Sequence, residues 1–508
     1  MTTSTLSPVR AAFRDAMAQI RAYSVELDWR PAFMTPVVNL AQEQVATLLD
    51  LPHPRPRRQP FSGQVQTLAA ASEQIAAGEL TATELAERTL AAIAAREREL
   101  NAFVHVAPAG EIMAQARQLD AARRQGRLAG PLHGIPIAVK DLLAVKGMPN
   151  TASSPVLAGQ VAREDAGSIR LLKEAGAIIV GKTQTHEFAL GVTTPQSRNP
   201  WDPTRDPGGS SGGSAIAVAT GMGLAAMATD TRASVRVPSS LCGVVGLKPT
   251  FGLVPADGVI MLSWSLDHVC PMALNVEDAA LMLSVLDDVT GQDYTDFLHK
   301  DVSGLRVGVP KAALLGAEPE VLRCFDQSVD ALRRAGVEVV ELDEPSAADF
   351  DLGMLMGLVV SRCEAAAYHA AFAARKDLYH MQAVYEQLDE ASQVSAVDYL
   401  QAQRCRADFR RRMLQVMGQV DALLMPTTRV AAPKSSEASD YFLVLSHNCI
   451  PWSFIGLPAI SVPCGWTAGG LPVGAQLVAG PLEDGRLLAV AAALEAALEA
   501  ALPGEVNP

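Results

Sequence analysis

The chain predicts an α/β protein built on one mixed, largely buried β-sheet, and three observations carry that expectation. Short apolar runs alternate with stretches of helical period along most of the sequence, the pattern of strands packed beneath helices. Hydrophobic residues make up 49% and charged residues 19% of the chain, as a well-buried globular protein requires. A length of 508 residues exceeds what one small core needs, so the fold is one large α/β unit or two domains sharing a sheet.

Taken in order, residues 9–51 show helical spacing, with Ala12, Phe13, Met17, Ile20 and Tyr23 recurring at three- and four-residue steps. Residues 52–60 interleave Pro54 and Pro56 with Arg55, Arg57 and Arg58 and read as a linker. Residues 1–60 are therefore expected to form a helical extension and linker that could cap the main body or contribute to a homodimer. The main domain is expected over 61–508. Helices are predicted over 67–77 and 81–99, the second opened by a capping box between Thr81 and Glu84. Strands are predicted over 102–106, 135–139, 177–180, 305–309, 337–342 and 422–424, and an apolar packing helix over 487–498.

Bulk properties exclude several functions. A formal net charge of −13 opposes non-specific attraction to nucleic acid or to an anionic membrane. Seven cysteines, at 242, 270, 324, 363, 405, 449 and 464, include no C-x-x-C pair, so neither a disulfide framework nor a zinc site is indicated. The N-terminal twenty residues lack a continuous apolar segment, and the run 215–228 is too short to span a bilayer. A cytoplasmic protein without metal or cofactor is the expectation.

Residues 206–250 hold the most chemistry. Gly208-Gly209-Ser210-Ser211-Gly212-Gly213-Ser214 precedes a small-residue helix, expected over 215–221 with Ser214 as its N-cap and Gly221 and Gly223 as its stop. A strand over 224–229 and the turn Thr231-Arg232-Ala233-Ser234 follow. Such a helix travels about 10 Å and such a strand roughly 17–20 Å, so a tight αβ return brings Ser234 back beside Ser210. A serine hydroxyl needs a base, and backbone N–H groups of the 231–234 turn could converge on an oxyanion. None of the nine histidines recommends itself, and no G-x-S-x-G elbow occurs. Lys140 ends the apolar run Ile135-Pro136-Ile137-Ala138-Val139, where desolvation would leave an amine neutral enough to accept a proton. A lysine at a strand end is more often a snorkelling surface charge. The glycine-rich loop is neither a Walker A motif nor a dinucleotide fingerprint, and a flexible linker would not open into an alanine-rich helix.

These residues resemble the amidase signature family. The resemblance rests on the glycine–serine stretch through Ala215, on Thr229-Asp230-Thr231, Ser234-Val235-Arg236-Val237-Pro238 and Gly246-Leu247-Lys248-Pro249-Thr250, and on Gly134 to Asp141 upstream. Ser265-Leu266-Asp267-His268 and the block from Gly456 to Gly465 match as well, so the likeness runs from roughly 65 to 495. It implies a large twisted mixed sheet with helices on both faces and a Ser–cis-Ser–Lys triad. In that scheme Ser234 is the acylated nucleophile, Ser210 the bridging serine after a cis peptide, and Lys140 the ultimate base. Ser211 supports them, and the backbone amides of Thr231, Arg232, Ala233 and Ser234 form the oxyanion hole. The implied reaction cleaves the C–N bond of a small-molecule carboxamide through a seryl acyl-enzyme, giving a carboxylate plus ammonia or an amine. Two alternatives stand beside it: the glutaminase subunit of a tRNA-dependent amidotransferase, and an inactive scaffold that uses the fold for binding.

One departure stands out: the family commonly has Gly-Gly before the nucleophile, and this chain has Arg232-Ala233. A positive φ at either position would introduce strain of about 1 kcal/mol or more. Arg232 could clamp a substrate carboxylate, or, more ordinarily, point away to pair with a structural acid. Asp230 and Arg236 are expected to buttress the loop, the Asp267-His268 pair to lie in a structural turn, and Cys270, where glycine is common, to carry no chemistry. Pocket walls are expected from 261–264, 354–385 and 441–452, with Trp264 as a substrate contact and Phe442 and Trp452 as apolar surfaces.

Overall fold

Fully apolar runs become interior strands because a strand covered on both faces has no side chain free to face water. The computed structural model describes residues 12, 15–19 and 66–500, and eleven strands among them form one sheet. They are β1 (Phe103–Val106), β2 (Pro136–Lys140), β3 (Ile178–Thr183), β4 (Ala225–Asp230), β5 (Val245–Lys248), β6 (His268–Ala273), β7 (Arg306–Pro310), β8 (Glu338–Leu342), β9 (Ala422–Pro426), β10 (Ala459–Trp466) and β11 (Pro472–Val478). Their order across the sheet is β1-β3-β2-β4-β6-β5-β10-β11-β9-β7-β8. The sheet is mixed: β2 runs parallel to β3 and β4, and β7 parallel to β8 and β9, while β4–β6, β5–β6, β5–β10 and β10–β11 are antiparallel. The extension expected over 9–51 and the linker over 52–60 lie outside the described residues, except for positions 12 and 15–19.

Strand alternation divides the core between the two faces. Ile137 and Val139 of β2, with Ala225 and Met227 of β4, join a cluster under the helices Leu68–Ala77, Val276–Leu286, Pro319–Arg334 and Asp484–Glu499. Ala138, Ala226 and Ala228 face the opposite way, against Ala82–Leu100, Ala109–Arg124 and Gly212–Ala219. Further along the sheet, Leu423 and Met425 of β9 pack under Ala347–His369 and Ala396–Met417. Small residues on β4 let the short Gly212–Ala219 helix lie close to the sheet, which brings the loop before that helix to the ends of β2 and β4.

The Thr81–Glu84 capping box forms as expected, with both reciprocal bonds present. Ser214 does not cap its helix: the helix begins at Gly212, and Ser214 sits in its first turn. Two physical reasons account for the earlier start. The N–H of Gly212 finds an acceptor outside the segment, Thr194 Oγ1 at 3.1 Å, so no local serine is needed. Gly213 also presses directly onto the backbone of Ala102 and Gln184, where any Cβ would collide. Ser214 Oγ instead bonds Thr183 Oγ1 at 2.8 Å and ties the helix to β3. Among the described residues, no helix is long and apolar enough to cross a membrane.

Candidate active site

Lys140 is the last residue of β2, and Thr229 and Asp230 close the neighbouring parallel strand β4. The Lys140 side chain is fully buried, with Nζ 2.7 Å from Ser210 Oγ, 2.8 Å from Ser211 Oγ and 2.9 Å from Thr229 Oγ1. Among the described residues no carboxylate forms an ion pair with it. Burial therefore dominates its titration and pulls the amine down to about 7, with Asp267 and Asp230 acting weakly in the other direction. The snorkelling alternative fails, because this lysine reaches inward to three hydroxyls.

The Gly209–Ser210 peptide is cis, and the Ser210 carbonyl accepts the His186 N–H at 3.1 Å. Gly208 N–H donates to Asp206 Oδ1 at 2.7 Å, which fixes the loop from below. The Ser211 N–H donates to the Ser234 carbonyl at 3.2 Å, so the two serine segments meet through their backbones. The structure thus gathers Lys140, Ser210, Ser211 and Thr229 into one hydrogen-bonded set and docks Ser234 against it. Ser234 Oγ itself makes no hydrogen bond among the described residues, nor do the amide N–H groups of Arg232, Ala233 and Ser234.

A family model described as amidase matches residues 84–488. The chain belongs to the amidase signature family. It is accordingly a hydrolase of carbon–nitrogen bonds. Similar proteins include a glutamyl-tRNA(Gln) amidotransferase subunit from Chloroflexus aurantiacus, 38% identical over 466 residues that cover 84% of this chain and 95% of that one. An amidase of Pseudomonas putida is 39% identical over 452 residues, covering 85% and 96%. Among solved structures, the native peptide amidase of Stenotrophomonas maltophilia aligns with a TM-score of 0.75 at 31% identity, covering 88% of this chain and all of that one.

In this amidase family member the turn before Ser234 is held from behind. Arg236 and Asp230 form a buried bidentate pair, Nε to Oδ2 at 3.0 Å and Nη2 to Oδ1 at 3.1 Å. Burial alone would raise the Asp230 carboxyl, but the Arg236 guanidinium outweighs it and holds that group far below the usual carboxylate range. Arg236 Nη2 also donates to the Arg232 carbonyl at 3.0 Å, and Ser453 Oγ donates to the same oxygen at 3.2 Å. In a trans peptide C=O and N–H point in opposite directions, so anchoring that carbonyl turns the Ala233 N–H away from Arg236. Thr231 Oγ1 donates to Asp267 Oδ1 at 2.6 Å, and the N–H groups of Leu262 and Ser263 cap the other oxygen at 2.8 and 3.1 Å. Asp267 is thus a buried anchor for the turn, while His268 Nδ1 contacts only backbone carbonyls.

Neither Arg232 nor Ala233 has a positive φ, so the departure from Gly-Gly carries no left-handed strain. The acid expected to pair with Arg232 is absent among the described residues. Instead its Cζ lies 4.9 Å above the Phe442 ring, and Nη1 is buried without a partner. Trp452 is completely buried and packs edge-on against Phe350, part of the core and no pocket wall. Trp264 is 53% exposed and lines a cavity of about 60 Å³ with Phe251, Met261, Asp267 and His268, whose walls include neither Ser210 nor Ser234.

Sequence reasoning gave no role to Thr229, Ser453 or Gln476, whose Oε1 accepts from Arg236 Nη1 at 2.6 Å. Thr229 has the strand parity of Met227, on the face away from the Gly212–Ala219 helix, so alternation gave no sign that its hydroxyl would meet Lys140 at the strand ends. Ser453 and Gln476 come from more than 200 positions away and had no local signal. No group of three His, Cys, Asp or Glu side chains is gathered to hold a metal ion among the described residues.

Proposed function

We propose that this chain is an amidohydrolase of small-molecule carboxamides, working through an acyl-enzyme on Ser234, and that residues 61–508 form its catalytic domain. One observation carries the reading: a fully buried lysine with no carboxylate partner lies 2.7 Å from Ser210 Oγ. Such an amine is substantially neutral near pH 7 and can accept a proton. Ser234 Oγ attacks the amide carbonyl, its proton passes to Ser210 Oγ, and the Ser210 proton passes to Lys140 Nζ. The turn amides, including those of Thr231 to Ser234, stabilise the oxyanion, for which hydrogen-bond donors fixed in advance are effective. Return of the proton by the same route lets ammonia or an amine leave as a neutral molecule. Water then adds to the ester, and Ser234 departs from the acid as a free hydroxyl. Free thiols and an acidic surface fit a cytoplasmic enzyme, and a homodimer is compatible with them.

A fluorophosphonate probe tests the reading, because it phosphonylates activated serines. Wild-type protein should label stoichiometrically and Ser234→Ala not at all. Equal labelling of both would mean that the activated serine is not Ser234, and none of either would leave a binding scaffold as the better account. A second reading, the glutaminase subunit of a tRNA-dependent amidotransferase, is favoured by the 38% identity to the Chloroflexus aurantiacus amidotransferase chain. It predicts that ammonia release from glutamine requires a partner protein, whereas a free-standing amidase releases ammonia alone.

A further inference from the structure

Two buried guanidinium groups near the serine loop are answered by no carboxylate among the described residues. One is that of Arg232, in the turn before Ser234; the other, that of Arg362, reaches the Leu190 carbonyl, three residues before the Thr193 backbone on which Gly209 rests. Arg232, two positions before Ser234, is 5% exposed, and its Nη1 has no hydrogen-bond partner. Arg362, on the Ala347–His369 helix, is 2% exposed, and its contacts are neutral: Nε donates to Gln387 Oε1 at 2.7 Å and Nη2 to the Leu190 carbonyl at 3.5 Å. Neither arginine makes an ion pair with an aspartate or glutamate among the described residues. The two also feel each other. Burial lowers Arg232 to about 9, and burial together with the Arg232 charge pushes Arg362 well below its usual range.

A structural arginine this deeply buried ordinarily brings its acid with it, because an unpaired charge out of water is strongly disfavoured. Arg236, four residues along the same chain, does so with Asp230. The Arg232–Arg362 pair lacks its anion, and its placement beside the proposed nucleophile indicates where the anion comes from. Stacking on Phe442 covers one face of the Arg232 guanidinium and leaves its edge, the side that takes a planar two-oxygen acceptor. We infer that Arg232 and Arg362 bind a carboxylate carried by the amide substrate, a few bonds from the scissile carbonyl. The inference rests on the reading of Ser234 as nucleophile. The substrate class is then the half-amide of a short dicarboxylic acid or a close analogue, with the free acid held by the arginines while the amide faces Ser234.

The test compares malonamate, succinamate and glutaramate with their methyl esters, which keep the shape and remove the charge. Wild-type kcat/KM should favour the best acid over its ester by about 100-fold or more, as expected where buried groups would otherwise be left unpaired. In Arg362→Gln and Arg232→Gln the ratio should fall below about 10-fold. Equal kcat/KM for every acid and its ester in the wild type, a result that needs no variant to fold, would overturn the inference. A binding measurement separates it from the hydrolase reading. Glutarate and succinate, as product-like dicarboxylates, should raise the Tm of Ser234→Ala protein but not that of Ser234→Ala with Arg362→Gln. That shift, found together with a wild-type chain that neither labels nor releases ammonia, would sustain the carboxylate site and remove the hydrolase. No shift with malonate, succinate or glutarate would remove the carboxylate site.

Discussion

At the scale of single residues, the site depends on one amine being kept out of water. Lys140 has three hydroxyls around it and no acid, so its charge is disfavoured where it sits, and burial brings it to about 7. If neutral Lys140 is the base, kcat/KM should rise with pH along a single-proton limb centred near 7 and level off by about two units above it. The sign follows from the role: protonation at low pH fills the lone pair that must accept the Ser210 proton. A kcat/KM profile from pH 5.5 to 9 on one amide substrate checks this. A flat profile across that range would show that no such amine titrates in the rate-limiting chemistry. Arg236 makes the contrast, since it is equally buried but paired with Asp230, so it keeps its charge and holds a turn in place.

At the scale of elements, the catalytic loop is positioned by the absence of side chains. A Cβ on Gly209 would run into the backbone of Thr193, and one on Gly212 into the Thr194 side chain. Thr194 also donates its hydroxyl to the Gly208 carbonyl at 2.9 Å, so the 193–194 backbone serves as a fixed template for the loop. Gly209→Ala should push Ser210 off Lys140 and lower kcat about 100-fold or more, since misplacement on the order of 1 Å costs that much. Its Tm should move far less than its rate. An alanine variant with wild-type kcat would mean that the loop is not templated there. The same elements explain what could be read from the chain. The runs 135–139, 177–180 and 422–424 at the heart of β2, β3 and β9 are apolar, and β1, β7 and β8 are short runs between clear helices, so their patterns were visible. β6 and β10 contain Pro271 and Pro463, β11 opens on Pro472 and contains Gly474, and β5 is four residues around Gly246; local propensity argues against each. They are strands because their neighbours in the sheet supply what propensity withholds. The meeting of Lys140 and Ser210 was legible because one ends an apolar strand and the other lies in a glycine-marked loop, whereas Ser234 follows a turn without glycine and was placed by the expected return of the αβ unit. Arg362 had no local mark, being one arginine in a long helix, and only the tertiary fold brings it to Arg232.

At the scale of the whole molecule, the sheet has a seam, and a second buried lysine lies on it. β5 joins the half that carries the site, through β6, to the half that runs through β10, β11 and β9. Lys248 ends β5, and its Nζ donates across the seam to the Leu457 carbonyl just before β10 and to the Pro249 carbonyl at 3.4 Å. Burial first, and the nearby Arg236 charge second, bring this amine from 10.5 to about 7. Between those values the unfolded chain holds a proton on Lys248 that the folded chain has released. Unfolding then takes up a proton, and stability rises with pH. Below about 7 both states are protonated and the contribution stops changing. Lys248→Met keeps most of the buried volume and removes this titration, while groups beyond the reach of its charge cancel in the difference between the two proteins. The stability of the wild type relative to Lys248→Met should therefore grow by roughly 1.4 kcal/mol per pH unit between pH 7.5 and 9.5. It should be level from pH 5.5 to 6.5. Paired thermal or denaturant unfolding at matched ionic strength reads the difference directly. A difference that stays constant through pH 9.5 would mean that Lys248 remains charged on the seam, with its ammonium held by carbonyls alone.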